Sequence, residues 1–233
     1  MAWLEKKRQA SGTYTTTYNC PKCQDTGHII HRNGFEISVE DCECEIRRRN
    51  ALRIERSGLK DLLKSYTFDS YQATDEKTSA IKTAAESYVK TGGGQWFVIT
   101  GTPGSGKTHI CTAIVGKLIE NGIDCRYMLW RDAVRELKAL ANDADSYREK
   151  MDAYKRADVL YIDDFLKGTV SDADMNVAFE LLNFRYNQNK KTIISGERSI
   201  AEVLKLDEAV GSRIYERGKG YVIQTASENW RMR

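Results

Sequence analysis

The stretch that decides the fold is FVITGTPGSGKTHI, from Phe97 to Ile110. It begins as an apolar, β-branched run, breaks into glycines and a proline, and ends with Lys107 and Thr108 before a helical pattern. The segment GTPGSGKT matches G-x-x-x-x-G-K-[S/T] at every position, and it lies between a predicted strand and a predicted helix that ends near Asn121. This context predicts a loop that binds the phosphates of a nucleotide such as ATP.

Each residue type in the loop has a chemical reason. Glycine allows backbone conformations that bulkier residues avoid and brings N–H groups close to phosphate oxygens. We expect Lys107 to neutralise the β- and γ-phosphates and the Thr108 hydroxyl to hold Mg²⁺. The full motif and its flanks disfavour the alternative, a glycine-rich turn without a ligand. The residues predicted to contact the nucleotide are Gly101, Thr102, Pro103, Gly104, Ser105, Gly106, Lys107, Thr108 and His109.

Acidic residues follow two further apolar runs. ADVLYIDDF ends in Asp163 and Asp164, and TIISGERS carries Glu197. Because ligands of open α/β sheets bind at the carboxyl ends of strands, Asp163 is predicted to hold Mg²⁺ and Asp164 to orient the attacking water. Glu197 is predicted to sense the γ-phosphate or its water, with an ordinary loop carboxylate as the alternative.

The segment DEAVGSRIYERGKG offers two cations without a clear acidic partner, Arg213 and Arg217. An arginine supplied by a neighbouring subunit can stabilise charge on the transferring phosphoryl group. The alternative is a cation that complements the dipole at a helix C-terminus. Arg217 suits that alternative because glycine follows it directly, so Arg213 is the predicted arginine finger.

From Gln95 onward, short apolar runs alternate with helical periods, which predicts an α/β fold with a parallel sheet flanked by helices. The predicted strands are WFVIT, CRYMLW, DVLYI, TIIS and YVIQT, and helices are expected to begin near Gly106, Arg131, Ala173, Ile200 and Glu208. Cys111 and Cys125 are expected in the core. Trp130 and Arg131 either face DNA, or Trp130 packs in the core. The polar stretch NDADSYREK either faces DNA or is an ordinary surface loop.

Four cysteines lie in two close pairs near the start of the chain, at Cys20, Cys23, Cys42 and Cys44. In a reducing compartment such pairs suggest a tetrahedral zinc site, since a module this small has too little core to fold without a metal. His28 or His31 could replace one cysteine, although ligation by all four cysteines is favoured. The pattern predicts a small β-rich knuckle that leads into a helix from about Cys44, whose arginines either contact phosphates or form a solvated face.

Composition sets the remaining limits. The chain has 233 residues and a formal charge of +3, and the excess lies in residues 1–65, with 12 Lys+Arg against 9 Asp+Glu. This imbalance permits contact with nucleic acid without requiring it. No apolar run could cross a bilayer and no signal peptide precedes the polar start, so we expect a cytoplasmic protein. We predict a zinc-binding domain over residues 1–64 and an ATPase domain over residues 65–233.

Several segments together resemble the bacterial and phage DnaC/DnaI-type replicative helicase loaders in order and spacing. These segments are YNCPKCQDTG, CECEIRRR, WFVITGTPGSGKTHI, YMLWRDAVRELK, ADVLYIDDFLKG, TIISGERS, DEAVGSRIYERGKG and ENWRMR. The resemblance implies an AAA+ ATPase core and an N-terminal zinc domain that binds the helicase hexamer. It also implies single-stranded DNA binding and self-association through the ATPase domain.

The resemblance assigns residue roles as well. Lys107, Thr108, Asp163 and Asp164 match the nucleotide and metal positions, Arg213 the finger, and Arg231 a second sensor that reaches the γ-phosphate within the same chain. Two departures, Asp164 where a glutamate is usual and Glu197 where an asparagine is common, suggest slow hydrolysis. Because the sequence ends just after Arg231, no C-terminal lid domain is expected.

Three functions are compatible with these residues. The leading one is an ATP-dependent helicase loader, and a transposition-helper ATPase has a very similar core but is not expected to carry the cysteine module. A nucleotide-sensing adaptor with little hydrolysis is the third. A small-molecule kinase fits poorly because no second substrate site is visible and Arg213 would have no role.

Overall fold

The computed structural model describes residues 18–33 and 36–225. Contacts between Cα atoms divide the chain into two compact units, one up to Arg49 and one from Asn50 onward. This division falls earlier than the predicted boundary near residue 65, because residues just after Asn50 pack with the larger unit. Leu59 is buried in one of its apolar clusters, and Ile54 and Leu62 pack against the same cluster.

The first unit is a hairpin followed by the start of a helix. Strands β1 (His28–Asn33) and β2 (Glu36–Asp41) pair antiparallel, so that Ile30 faces Val39. Helix α1 (Glu43–Ser57) begins directly after β2 and continues into the second unit. The predicted β-rich knuckle leading into a helix is therefore present.

The second unit contains a sheet of five parallel strands: β3 (Trp96–Gly101), β4 (Cys125–Leu129), β5 (Val159–Phe165), β6 (Lys191–Gly196) and β7 (Val222–Thr225). Their spatial order is β4-β5-β6-β3-β7, and every pairing is parallel. Because parallel strands require crossover connections, helices cover both faces. The prediction of an α/β fold with a parallel sheet flanked by helices is confirmed.

The helices of this unit are α2 (Leu62–Ser65), α3 (Glu76–Val89), α4 (Lys107–Glu120), α5 (Trp130–Ala139), α6 (Ala144–Arg156), α7 (Asp172–Asn187), α8 (Ile200–Leu206) and α9 (Glu208–Arg217). At the start of several helices, a side chain accepts a hydrogen bond from a backbone N–H group that has no partner within the helix. Asp75, Ser171 and Ser199 form capping boxes at the starts of α3, α7 and α8. Such caps fix where each helix begins.

Helix α6 corrects the interpretation of NDADSYREK as a surface loop. The Asp143 side chain accepts a hydrogen bond from the Ser146 N–H and starts the helix. Tyr147, Met151 and Tyr154 then follow at helical spacing and pack against the apolar cluster on one face of the sheet. The segment looked polar because its exposed face carries most of its charges, whereas the buried stripe is narrow.

The core lies on both faces of the sheet, since neighbouring residues of a strand point to opposite sides. Trp96 and Val98 join a cluster with helices α5, α7 and α9, whereas Phe97 and Ile99 join a cluster with α3 and α4. Trp130 belongs to the first cluster, which supports core packing for that residue. Cys111 and Cys125 are buried in the second cluster, as expected.

Within residues 18–33 and 36–225, no helix combines the length and the apolar character that a transmembrane span requires.

Candidate functional site

The glycine-rich loop joins β3 to α4, and two of its glycines are required by geometry. Gly101 has φ of +142°, and a Cβ atom there would lie 2.1 Å from the carbonyl oxygen of Thr225 on the adjacent strand. Gly106, with φ of +81°, lies directly before the first residue of α4. The loop therefore ends on a helix N-terminus, where free N–H groups favour an anion.

Lys107 is folded over this loop. Its Nζ donates to the carbonyl oxygens of Gly101 at 2.8 Å and Thr102 at 2.7 Å, and Ser105 Oγ lies 3.4 Å away. Burial lowers the pKa of Lys107, and the negative charges of Glu197 and Asp164 oppose that shift. The loop is also tied to the neighbouring strand, since Thr225 Oγ1 donates to Ser105 Oγ at 2.7 Å.

Asp163 is buried at the carboxyl end of β5 and collects hydroxyl groups from three other elements. Thr108 Oγ1 lies 3.4 Å from its Oδ1, and the Tyr127 hydroxyl donates to its Oδ2 at 3.1 Å. Ser195 Oγ, on β6, also donates to Oδ1. A threonine hydroxyl and a carboxylate that converge here are the hard oxygen ligands that Mg²⁺ prefers, so the donor set fits this ion.

Asp164 and Glu197 meet at the carboxyl ends of the two neighbouring strands β5 and β6. Lys167 lies between them, with its Nζ 3.0 Å from Asp164 Oδ2 and 3.2 Å from Glu197 Oε1. Asp164 and Leu166 have φ of +55° and +53°, which turns the backbone sharply after β5. The structure therefore brings together the two carboxylates that the sequence assigned to the terminal phosphate, and adds a lysine that the sequence did not.

Residues of the phosphate loop, the start of α4 and the carboxyl ends of β5 and β6 line one cavity of about 200 Å³. Of the residues predicted to contact the nucleotide or its terminal phosphate, the lining includes Pro103, Gly104, Ser105, Gly106, Lys107, Thr108, His109, Asp164 and Glu197. Tyr66 and Lys167 complete the lining, and neither was predicted. The cavity therefore presents two lysines and a loop rich in backbone N–H groups opposite two carboxylates.

His109 lies on the other side of the loop, against the segment before α3. Its ring stacks on Tyr66 with centroids 4.8 Å apart, and Tyr71 meets it edge-on at 5.2 Å. Its Nε2 lies 3.0 Å from the Thr67 carbonyl oxygen and 3.1 Å from Ser70 Oγ. Burial lowers the pKa of His109, and the contact with Thr67 opposes that shift. Aromatic rings and hydrogen-bonding groups beside a phosphate loop suit a nucleobase.

Arg213 is not among the residues that line this cavity. It lies on α9, where its Nε donates to Asn183 Oδ1 at 3.1 Å and its guanidinium packs over the rings of Phe179 and Tyr186. Arg217 is held within the fold by the Tyr186 carbonyl oxygen at 2.7 Å. The predicted second sensor, Arg231, lies outside the described residues.

The four cysteines of the first unit converge. Their sulfur atoms all lie within 4.8 Å of one another, with Cys20 and Cys42 3.8 Å apart and Cys23 and Cys44 3.4 Å apart. Tetrahedral zinc with Zn–S bonds of about 2.3 Å separates its sulfurs by about 3.8 Å, so this cluster fits the ion.

The two histidines of this unit have other partners. His28 and His31 pair with Asp41 and Glu40 on the hairpin, so the four cysteines are the candidate ligand set. The thiols also influence one another's protonation. A backbone N–H of Cys23 lowers the pKa of Cys20 to about 7, whereas the Cys23 thiol raises that of Cys44 to about 12.

The arginines at the start of α1 are partly neutralised. Arg48 and Arg49 both pair with Glu45, and Arg49 also pairs with Asp41. The Arg48 partner holds the pKa of Glu45 at about 2. These contacts favour a solvated, self-paired helix face over a site for phosphates.

Residues 36–233 match the family model described as IstB-like ATP binding protein. The chain belongs to this family. The phosphate loop, the acidic pair and the parallel sheet are thus parts of an ATP-binding ATPase.

Two relatives match most of this chain and most of their own length. The phage-like element PBSX protein XkdC of Bacillus subtilis is 29% identical, over 88% of this chain and 82% of its own. The replicative helicase loader DnaC of Escherichia coli is 24% identical, over 73% of this chain and 71% of its own.

The crystal structure of the DnaC helicase loader has a TM-score of 0.61 at 19% identity, covering 72% of this chain and 99% of its own. That of DnaI has a TM-score of 0.57 at 21% identity, covering 73% and 92%. At such identities these structures show a shared fold, a parallel sheet flanked by helices.

Sequence analysis missed several residues of this IstB-like site. Tyr127 and Ser195 lie on strands that were predicted, but strand register is needed to show that both reach Asp163. Thr225 lies at the end of β7, beside the loop. The segment from Tyr66 to Tyr71 did carry a signal, because three aromatic residues lie among polar ones at the start of the predicted ATPase domain.

Proposed function

We propose that this protein is an ATP-dependent loader that binds the replicative DNA helicase hexamer and helps to deposit it on single-stranded DNA. The observation that carries the proposal is the presence, in one chain, of a four-cysteine cluster and an IstB-like ATPase core with the DnaC/DnaI fold. In this proposal the cysteine module holds zinc and contacts the helicase, while the core binds ATP and engages DNA.

The proposed chemistry follows from the positions of the side chains. Lys107 and the loop N–H groups bind the phosphates, and Thr108 with Asp163 holds Mg²⁺, which neutralises the charge that develops during phosphoryl transfer. Asp164 orients the attacking water. Its carboxylate is shorter than the usual glutamate and is paired with Lys167, which supports slow hydrolysis.

Arg213 completes the site of a neighbouring copy in this proposal. It is partly buried on α9, outside the cavity that holds Lys107, so it has no phosphate to contact within its own subunit. A lone subunit is therefore expected to hydrolyse ATP poorly, and assembly through the ATPase domain supplies the missing cation.

A transposition-helper ATPase is the second candidate, favoured by the match to the IstB-like family. The cysteine cluster is the feature that argues against it. A nucleotide-sensing adaptor with little hydrolysis is the third, and the pairing of Asp164 and Glu197 with a lysine supports it.

The deciding experiment mixes the protein with the replicative helicase of its source and single-stranded DNA, with and without ATP, and measures the mass of the complexes. A loader should form a complex with the helicase, and the amount of single-stranded DNA in that complex should differ with and without ATP. No association with the helicase in either condition rejects the loader, and ATP-dependent assembly on DNA alone favours the transposition helper.

A further inference from the structure

Lys167 is a cation in the nucleotide site that neither the P-loop pattern nor the acidic pair explains. It lies on the turn after β5 and lines the same cavity as Lys107 and Thr108. Its Nζ contacts Asp164 Oδ2 at 3.0 Å and Glu197 Oε1 at 3.2 Å, so one ammonium group bridges both carboxylates at this end of the cavity.

The turn that carries Lys167 is built to hold it there. Its backbone N–H donates to the Asp164 carbonyl oxygen at 3.2 Å, which closes the turn. From the end of β6, Arg198 clamps the same segment, with its Nε donating to the Leu166 carbonyl oxygen at 2.9 Å and an NH2 group donating to that of Gly168 at 2.6 Å. The backbone of this turn is therefore fixed by hydrogen bonds, and the Lys167 ammonium group lies between the ends of β5 and β6.

The charge balance of the site indicates why a second lysine is needed. Three carboxylates, Asp163, Asp164 and Glu197, surround the end of the cavity near Lys107. ATP brings further negative charge, and like charges held close together in a partly desolvated site repel strongly. Thr108 contacts Asp163, whereas Lys167 contacts the other two carboxylates, Asp164 and Glu197.

The position of Lys167 relates it to the terminal phosphate. Glu197, Asp164 and Lys167 all lie within electrostatic reach of Lys107, the residue whose type and place suit the β- and γ-phosphates. His109 and Tyr66, which suit the base, lie against the segment before α3. A charge at Lys167 should therefore act on a triphosphate far more than on a diphosphate.

We propose that Lys167 is a positioning residue that neutralises Glu197 and Asp164 and so makes the site selective for a nucleoside triphosphate over a diphosphate. In this view Glu197 is tolerated beside the γ-phosphate only because Lys167 pairs with it. The inference rests on the proposed binding of ATP at this site and adds the means by which the site distinguishes ATP from ADP.

The test measures dissociation constants of Mg²⁺ complexes of ADP and of a non-hydrolysable ATP analogue with a methylene group between the β- and γ-phosphorus atoms. Four proteins are compared: the unaltered chain, Lys167→Met, Glu197→Gln and the double variant. Lys190→Met is the matched control, because Lys190 is similarly exposed and pairs with Asp158 at 3.1 Å at the opposite ends of β5 and β6.

We expect Lys167→Met to weaken binding of the analogue about tenfold or more and that of ADP about threefold or less. Adding Glu197→Gln to it should restore analogue binding to within about threefold of the unaltered chain, since the unpaired charge at the γ-phosphate end is then gone and only that of Asp164 remains. Lys190→Met should change neither constant. Unfolding temperatures without nucleotide establish that each variant is folded.

Three outcomes would overturn the proposal. Lys167→Met could leave binding of the analogue unchanged, or it could weaken binding of ADP and of the analogue equally. The double variant could also bind the analogue as weakly as Lys167→Met does. If the unaltered chain binds neither nucleotide, the ATP site itself is rejected, which is distinguishable from failure of the role of Lys167.

Discussion

At the scale of single residues, the site is organised around carboxylates whose surroundings differ. Asp163 is buried and accepts hydrogen bonds from Ser195 and Tyr127, which fixes its orientation beside Thr108. Asp164 is half-exposed on a turn with positive φ and pairs with Lys167. The two neighbouring aspartates are thus suited to different tasks, one to a fixed metal contact and the other to a water molecule.

Asp164→Asn separates binding from hydrolysis. An amide of the same size keeps the shape of the cavity but cannot accept a proton, so we expect ATP affinity to change less than about threefold and turnover to fall about 100-fold or more. Steady-state phosphate release and equilibrium binding measure the two effects. Full helicase loading by this variant would show that binding alone is sufficient and would favour the adaptor.

Arg185 is a buried arginine whose hydrogen bonds are expected to contribute strongly to the stability of the fold. It is fully buried, and its guanidinium donates to the carbonyl oxygens of Tyr154 and Lys155 in the last turn of α6, to that of Ala157 directly after it, and to that of Lys191 at the start of β6. Burial lowers the pKa of Arg185 to about 9. Arg185 therefore joins the end of α6 to the start of β6 in the interior.

Arg185→Met should lower the free energy of unfolding by about 3 kcal/mol or more, because several buried carbonyl oxygens lose their donor. Denaturant unfolding followed by tryptophan fluorescence measures the change. Arg135→Met, which removes an exposed arginine paired with Asp132, serves as the control and should change stability by less than about 0.5 kcal/mol. Equal effects of the two substitutions would contradict the assignment.

At the scale of elements, the cysteine cluster connects a tight turn to the beginning of a helix. Cys20 and Cys23 lie in the turn before β1, Cys42 lies between β2 and α1, and Cys44 lies in the first turn of α1. The hairpin itself has exposed Ile30, Ile37 and Val39 side chains and little core. Such a hairpin is only marginally stable by itself, so a metal would contribute most of its folding free energy.

The purified protein should therefore contain about one zinc ion per chain, and a strong chelator should unfold the hairpin while the ATPase core stays folded. Metal analysis and amide hydrogen exchange over residues 18–49 measure both effects. Cys42→Ser should lose the zinc, whereas Cys125→Ala, which removes a buried thiol of the core, should keep it. Retention of zinc by Cys42→Ser would contradict ligation by these four cysteines.

The elements also show what sequence patterns can predict. All five strands of the parallel sheet were predicted, because buried strands of such sheets are continuous apolar runs with glycine or acidic ends. Helix α6 was missed, since its buried stripe is narrow and its first half falls within the polar stretch NDADSYREK. The predicted boundary near residue 65 differs from the contact division after Arg49, because Leu59 packs into the core of the larger unit.

At the scale of the whole molecule, the sequence predicted the parts of the site that lie within one motif and missed those that depend on strand order. The order β4-β5-β6-β3-β7 places β5 beside β6, and only this neighbourhood brings Lys167 to Glu197. The same neighbourhood brings Ser195 to Asp163. No local pattern encodes these contacts, since each joins residues about thirty positions apart.

The proposed role of Arg213 can be tested by mixing subunits. Arg213→Ala and Asp164→Asn should each hydrolyse ATP slowly alone, but a mixture should recover activity where an intact Arg213 meets an intact Asp164 from another subunit. Lys107→Ala mixed with Asp164→Asn is the matched control and should not recover, because both groups belong to the same subunit's site. Phosphate release under assembly conditions provides the readout, and equal behaviour of the two mixtures would contradict the shared site.

The central claim is that the loop from Gly101 to Thr108 binds the phosphates of Mg²⁺–ATP through its N–H groups and Lys107. Titration calorimetry of the unaltered chain, Lys107→Ala and Lys190→Met with Mg²⁺ and the non-hydrolysable ATP analogue tests it most directly. The account predicts saturable binding at one site per chain, a loss of about tenfold or more in Lys107→Ala, and no change in Lys190→Met. Absence of binding by the unaltered chain, or equal affinity in Lys107→Ala, would contradict it.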